Sequence, residues 1–184
     1  ASAQEDYFPD YRRKTENVLK VREKQLRADL TTFTIAGIEE SVGKIPLRKI
    51  LFTSFSANHM TFEGDKIKAT VTTGYFDTAG HKLKRFGKHL IKIDNKTFYG
   101  SYGKLPERNI QSVTVIIDKD TVAIPPEAYN DLYNLYFTYT DKKGAERSTN
   151  GIYLSPDAHT IYLYMLNKDA GGSYEVTWVI TDKK

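Results

Sequence analysis

The stretch "DTAG", from Asp77 to Gly80, has the Asp-x-x-Gly spacing with which GTPases hold Mg²⁺ beside the γ-phosphate of the nucleotide. A nucleotide site also needs a loop of the form G-x-x-x-x-G-K-[ST], whose backbone N–H groups cradle the phosphates. The nearest stretch, "GIEESVGKIP" at 37–46, has five residues between its glycines. It also places Ile45 where the Mg²⁺-binding hydroxyl belongs, and Pro46 blocks the helix that should follow. We therefore interpret Asp77 and Gly80 as a hairpin turn, and we expect no cofactor.

The most distinctive charged stretch is "HKLKRFGKHLIKI" at 81–93, which contains no acidic residue. Its cations, and the tyrosines of the strand predicted to follow, are candidate binding residues: Lys82, Lys84, Arg85, Lys88, Tyr99 and Tyr102. Cations interleaved with aromatic rings could bind an anionic glycan, a lipid head group or single-stranded nucleic acid. The other interpretation is that these lysines guard an exposed strand edge against unwanted pairing. Because the net charge of the chain is only +4, we expect no specific nucleic-acid partner.

A second group of aromatic residues surrounds the stretch "IPPEAYNDLYN" at 124–134. Its members are Tyr129, Tyr133, Tyr136 and Tyr139. Tyrosine rings can stack on the apolar face of a sugar while neighbouring Asn and Asp side chains bind its hydroxyls. Tyrosines with one wet end are also typical of the margin of a β-sheet core. Both interpretations stay open at the level of sequence.

Residues that could carry out catalysis show no supporting pattern. The four histidines, His59, His81, His89 and His159, have no H-E-x-x-H or other paired spacing, and no G-x-S-x-G nucleophile motif is present. Carboxylates such as Glu39, Glu40, Asp118 and Asp120 could flank a cleft as glycosidases require, or could be solvated surface charges. We predict no catalytic residue and no metal ligand.

The amino-acid composition and the first residues favour an exported protein. The chain has no cysteine, which excludes disulfides, thiolate catalysis and cysteine-ligated zinc, and fits an exported protein built without disulfides. Its first residues, Ala1, Ser2 and Ala3, match the small-residue end of a cleaved signal peptide, although an arbitrary cut or a cloning remnant would look the same. No apolar run is long enough to cross a bilayer. We expect an extracytoplasmic protein, periplasmic or at the cell surface.

The sequence predicts that most of these residues lie on β-strands or in the turns between them. Short segments rich in Val, Ile, Thr, Tyr and Phe alternate with tight turns that begin at Asp and close near Gly, and such turns require antiparallel pairing. The predicted strands are 31–38, 50–55, 66–76, 81–86, 89–93, 97–102, 110–117, 135–140, 148–154, 160–166 and 173–180. Prolines at 125 and 126 predict a short helix over roughly 126–132.

One longer helix is predicted before the strands, over residues 10–30, with a narrow apolar stripe and a highly charged opposite face. A stripe this narrow should lie on a sheet. We therefore predict a flexible segment 1–9 and a single β-rich domain over 10–184. Its fold class is mainly β, an antiparallel β-sandwich or partly closed barrel, with the amphipathic helix packed on it.

The last third of the chain contains the stretches "NGIYLS", "IYLYM" and "YEVTWVI". With these stretches, residues 120–180 resemble small exported proteins of Bacteroidota-type bacteria, a group for which we know of no assigned activity. The resemblance implies an envelope location and a β-rich domain. It implies no functional residues.

These observations lead to three functional hypotheses. The first is a non-enzymatic, extracytoplasmic interaction protein that recognises another protein or an envelope component, for example as an immunity or inhibitor protein. The alternative is a glycan-binding module that uses exposed tyrosines and the basic stripe. The second alternative is a carboxylate-dependent hydrolase, which requires a pocket with two carboxylates or a His–carboxylate pair. The sequence leaves the oligomeric state open.

Overall fold

The computed structural model describes residues 47–148, 150–167 and 174–182, together with Arg22 and Lys24. The described residues form thirteen strands: β1 (Arg48–Ile50), β2 (Phe52–Phe55), β3 (His59–Gly64), β4 (Ile67–Tyr75), β5 (Leu83–Phe86), β6 (His89–Ile93), β7 (Arg108–Ile117), β8 (Asp120–Ala123), β9 (Tyr139–Thr140), β10 (Glu146–Arg147), β11 (Gly151–Leu154), β12 (Thr160–Asn167) and β13 (Tyr174–Thr181). The predicted segment 1–9, helix 10–30 and strand 31–38 lie outside the described residues, apart from Arg22 and Lys24.

The strands form four antiparallel sheets. The largest has the order β2-β3-β4-β7-β8, the second has the order β1-β11-β12-β13, and two small sheets pair β5 with β6 and β9 with β10. The mainly β prediction and the antiparallel pairing are confirmed. The described strands do not close into a barrel.

The two larger sheets share one hydrophobic core. In β4 the alternation predicted from sequence is present, with Ile67, Ala69 and Val71 buried and Lys68 exposed. These side chains belong to the same buried cluster as Ile152 of β11 and Leu163 of β12. The alternate residues of β12 are also buried, because Tyr162 and Tyr164 form a second cluster with Leu47. The pattern of a strand apolar on both faces therefore predicted its burial correctly.

The helix predicted over 126–132 is shorter in the structure. It is a single 3₁₀ turn at Pro126–Ala128, with Pro126 at its start and its last carbonyl held by a hydrogen bond from Trp178 Nε1 at 3.0 Å. Residues 97–102, predicted as a strand, contain one isolated bridge instead, in which Tyr99 pairs with Leu132; the next residue, Gly103, pairs with Leu90. Of the predicted strand 135–140, only β9 has strand geometry.

The Asp77 turn is confirmed, but the predicted hairpin is wrong. The backbone N–H of Ala79 donates to Asp77 Oδ1 at 2.9 Å, and Gly80 has a φ of +79°. The turn joins β4 to β5, yet β4 pairs with β3 and β7 whereas β5 pairs with β6. Asp77 therefore has a conformational role: the chain leaves the large sheet here, builds a separate hairpin, and returns at β7.

Among the described residues, no helix has the length and hydrophobicity that a membrane-spanning helix requires.

Candidate functional site

The candidate site is the basic hairpin, defined as residues 82–93: Lys82, β5, the turn at Gly87 and Lys88, and β6. One face of the hairpin is fixed to the protein. Leu90 and Ile93 are buried with Tyr133, and the N–H of Leu90 donates to the carbonyl oxygen of Gly103 at 2.9 Å. Because these contacts hold the inner face, the cationic side chains are displayed on a positioned support.

The cations of the hairpin face solvent. Lys82, Lys84, Arg85 and Lys88 are all exposed. None of them forms a salt bridge within the described part of the chain; Arg85 donates only to the carbonyl oxygen of Lys88, at 3.4 Å. The register places Lys84 of β5 directly opposite Lys92 of β6. Like charges in directly opposed positions destabilise a strand pair, so this pair does not stabilise the hairpin.

The net positive charge of the chain is concentrated in one stretch of its sequence. Residues 81–104 contain seven lysines and arginines and one aspartate, a net charge of +6, whereas the complete chain carries +4. The remaining residues are therefore weakly acidic taken together. A mild net charge conceals a strongly basic region, which can attract an anionic partner over roughly the 8 Å Debye length of physiological salt.

Two exposed aromatic rings accompany the cations. Phe86, at the end of β5, is 82% exposed, and Tyr102 is 75% exposed. The ring of Tyr102 makes an edge contact with His89, with 4.8 Å between the ring centroids. The sequence analysis predicted Tyr102 as a binding residue but not Phe86. The position of Phe86 between Arg85 and Gly87, at the end of a predicted strand, could have indicated that its ring is exposed.

The other predicted tyrosines are not on one surface. Tyr99 is half-buried against the main core, and Tyr129 and Tyr133 are buried. Burial raises the pKa of Tyr133 to about 12. Tyr136, just before β9, and Tyr139, in β9, are exposed. This strand is a different element from the basic hairpin. The structure therefore groups Lys82, Lys84, Arg85, Lys88 and Tyr102, and separates the remaining tyrosines from them.

A short hydrogen bond fixes the base of the hairpin. His81 Nδ1 lies 2.6 Å from Asp94 Oδ2, and the backbone N–H of Lys82 donates to Asp94 Oδ1 at 2.9 Å. The hydrogen bond from Lys82 and that from His81 lower the pKa of Asp94 below its ordinary value. His81 and Asp94 also line a cavity that extends to Tyr129 and Tyr133.

We expect acid to loosen the hairpin. A carboxyl group with a lowered pKa in the folded protein stabilises it above the unfolded pKa of about 3.9, and this contribution is lost as the pH falls through the folded pKa. Amide hydrogen-exchange protection of residues 82–94 should therefore drop below about pH 4, and Asp94→Asn should remove this pH dependence. Equal pH profiles for the wild type and Asp94→Asn would contradict the assignment.

The described residues contain no group of three His, Asp or Glu side chains that could hold a metal ion. No protein-family model, curated protein or solved structure was found to match this chain.

Proposed function

We propose that this chain is a non-enzymatic, extracytoplasmic interaction protein whose basic hairpin binds an acidic partner, either a protein or an envelope polymer. The observation that carries the proposal is the opposition of Lys84 and Lys92 beside the exposed ring of Phe86. An anionic partner would relieve the repulsion between the two ammonium groups, and a pocket on that partner could receive the ring. The absence of cysteine is compatible with an oxidising compartment.

Protection of a strand edge explains only part of this charge. An edge strand is guarded by cations on that strand, which here would be Lys84 and Arg85 of β5. Lys92 lies on β6, which is also an edge of this two-stranded sheet, whereas Lys88 lies in the turn. Lys88 therefore adds charge outside either strand, and this supports a binding role.

The residue types on the hairpin favour binding that is dominated by a few residues. Aromatic residues and Arg are enriched among the residues that dominate binding energy, whereas Lys acts more through attraction and orientation. Phe86 and Arg85 therefore fit the role of anchors, and the lysines fit the role of steering charges. An immunity or inhibitor protein is one form of this function, because blocking a partner needs only a complementary surface.

A glycan-binding module is the second candidate, and it is favoured by the exposed Tyr102 ring beside the cations. The carboxylate-dependent hydrolase gains less support. The His81–Asp94 pair is the kind of pair it requires, but both oxygens of Asp94 already accept hydrogen bonds. A carboxyl group with a lowered pKa is a poor proton donor and a weak base at neutral pH.

Binding to two immobilised polyanions tests the proposal and separates the two kinds of partner. Poly-L-glutamate represents an acidic protein and heparin represents an acidic glycan. We expect the protein to bind at least one of them, with the logarithm of the affinity falling with the logarithm of salt concentration at a slope of roughly −3, as four cationic contacts would give. Failure to bind either polymer at low salt, or binding that does not depend on salt, would contradict the proposal.

A further inference from the structure

The second sheet, β1-β11-β12-β13, carries two buried tyrosines on the face that points away from the main core. Ile161, Leu163 and Met165 of β12 belong to the core shared with the largest sheet. Because side chains alternate along a strand, Tyr162 and Tyr164 point the opposite way. In the intact chain these two tyrosines are nevertheless only 1% and 4% exposed. The proposed function gives this outer face no role.

The outer face of the largest sheet provides the comparison. Lys68 of β4 is exposed there, and Thr70, Thr72 and Thr114 keep part of their surface in contact with solvent. An antiparallel sheet with one face on the core and one face in water has this pattern. Since the outer tyrosines of the second sheet do not follow the pattern, a further layer covers them.

The neighbouring strands do not explain this burial. Tyr153 and Val179 lie directly opposite Tyr162, and both are themselves partly exposed. Side chains stand roughly perpendicular to a sheet, so neighbours in the same sheet shield the sides of a ring but not its outer end. Leu166, on the same strand, and Leu47, just before β1, are the other described apolar neighbours of the two tyrosines.

Of the stretches outside the described residues, only the segment 1–46 is long enough to supply the cover. Tyr162 lies five residues before the end of β12, roughly 17 Å along the strand. The loop 168–173 must leave that end and return to β13, so its six residues reach only roughly 10 Å. Position 149 is a single residue, and residues 183 and 184 are both lysines. A second copy does not produce the burial, because the structure contains one chain.

The segment 1–46 ends at this outer face. Leu47, the next residue, packs in one cluster with Tyr162 and Tyr164, and β1 follows at the edge of the same sheet. Lys49 Nζ lies on the same face, 5.5 Å from the centroid of the Tyr153 ring. The preceding chain therefore reaches β1 on the side of the sheet that is covered.

Two described positions within the segment 1–46 indicate how the cover is oriented. Lys24 is helical and exposed, whereas Arg22 is exposed and not helical, so the helix predicted over 10–30 does not include Arg22. The sequence predicts that the helix continues to Leu30, which places Leu26 and Leu30 one turn apart on one face. Residues two apart do not share a face, so the exposure of Lys24 turns Leu26 away from solvent.

We propose that the helix containing Lys24 lies across the outer face of the second sheet, with Leu26 and Leu30 packed on Tyr162 and Tyr164. The protein then has three layers, in which a charged helix face replaces an aromatic sheet face at the surface. Burial of apolar surface on both sides of the contact stabilises this arrangement. The proposal goes beyond the proposed function and is independent of it, because no residue of the basic hairpin is among the described members of this cluster.

Paramagnetic broadening of NMR signals tests the position of the helix. The chain has no cysteine, so a nitroxide label can be attached to a single introduced cysteine. In Lys24→Cys, the label should broaden the amide signals of β12 and β13 several-fold more than those of β4 and β7, because broadening falls steeply with distance and stacked layers lie about 10 Å apart. Lys119→Cys, at an exposed position in the turn between β7 and β8, is the matched control and should reverse the ratio.

A mixed sample separates contacts within one molecule from contacts between two. Spin-labelled protein at natural isotope abundance, mixed with unlabelled ¹⁵N protein, reports only contacts between molecules, and we expect no broadening of β12 or β13. Broadening in this mixture would assign the cover to a second copy and overturn the proposal. Equal broadening of the two sheets by the label at position 24 would overturn it as well.

A double variant tests the contacts themselves. Leu26→Asp together with Leu30→Asp would bury two carboxylates against the tyrosines, which is unfavourable, so the helix should detach from the sheet. Oxidation of Tyr162 and Tyr164 by hydroxyl radicals should then rise several-fold, while that of Tyr133, which is buried in a different cluster, should not change. Lys24→Asp, at an exposed position on the same helix, is the matched control and should leave all three rates as in the wild type.

Unchanged oxidation of Tyr162 and Tyr164 in the double variant would contradict the proposal. A rise at Tyr133 as well would show that the whole fold is lost, and the spin-label comparison, which uses exposed positions of the folded protein, then decides.

Discussion

Gly100→Ala is expected to destabilise the protein by more than about 4 kcal/mol, a cost reserved for severe steric or electrostatic defects. Gly100 has a φ of +104°, a conformation that residues with a side chain rarely adopt. A Cβ added there would also overlap the carbonyl oxygen of Tyr133. That oxygen cannot withdraw easily, because it accepts a hydrogen bond from the Tyr174 hydroxyl at 3.0 Å. The free energy of unfolding, measured with urea, checks the expectation.

Gly144→Ala is the matched control for this prediction. Gly144 also has a positive φ, of +80°, but no atom lies within 4 Å of the position that its Cβ would take. This variant should cost only the conformational penalty, about 1 kcal/mol. If the two variants lost the same stability, the close approach of Gly100 to Tyr133 would be disproved.

Reversing the charge at three positions of the hairpin, as Lys84→Glu, Arg85→Glu and Lys88→Glu together, is expected to weaken binding to the preferred polyanion about 100-fold or more at 0.1 M salt. The same change should preserve the stability of the fold or raise it slightly. Lys84→Glu replaces a like-charged pair by an opposite-charged pair across β5 and β6, and such pairs contribute roughly 0.2–1 kcal/mol. Binding and urea unfolding of the same preparation measure both effects.

The control for this triple variant changes the net charge equally at another place. Lys119, Lys142 and Lys143 are exposed and lie in the turns after β7 and β9. Their simultaneous replacement by Glu should leave most of the binding intact. If both triple variants lost affinity to the same degree, the attraction would belong to the overall charge of the protein and not to the basic hairpin.

The sequence predicted the parts of the fold that local pattern encodes. Alternation identified the buried face of β4, two-sided hydrophobicity identified the burial of β12, and Asp followed by Gly identified the turn at 77–80. It did not predict that β4 pairs with β7 instead of β5. Pairing between segments distant in sequence depends on register and on the shared core, and no local signal reports these.

The sequence predicted the part of the candidate site that lies in one contiguous segment. The run of cations was visible in the sequence, and the structure exposes Lys82, Lys84, Arg85 and Lys88 together. The burial of Tyr129 and Tyr133 was not predictable, because tyrosine occurs both in cores and on binding surfaces. The meeting of Asn109 with Asp131 across the cavity joins two segments that carry no common pattern.

The departure of the chain from the large sheet after β4 has a further consequence. Tyr75 at the end of β4 and Arg108 at the start of β7 are direct partners in the sheet, so residues 76–107 form an excursion that begins and ends at neighbouring points. The solvent-facing positions of this excursion can exchange charge with little effect on the strands that anchor it, because Lys84, Arg85 and Lys88 contact solvent and not the core. Its inner positions, such as Leu90 and Gly100, must stay as they are, so the proposed binding surface can diversify only on the outer face of an otherwise fixed segment.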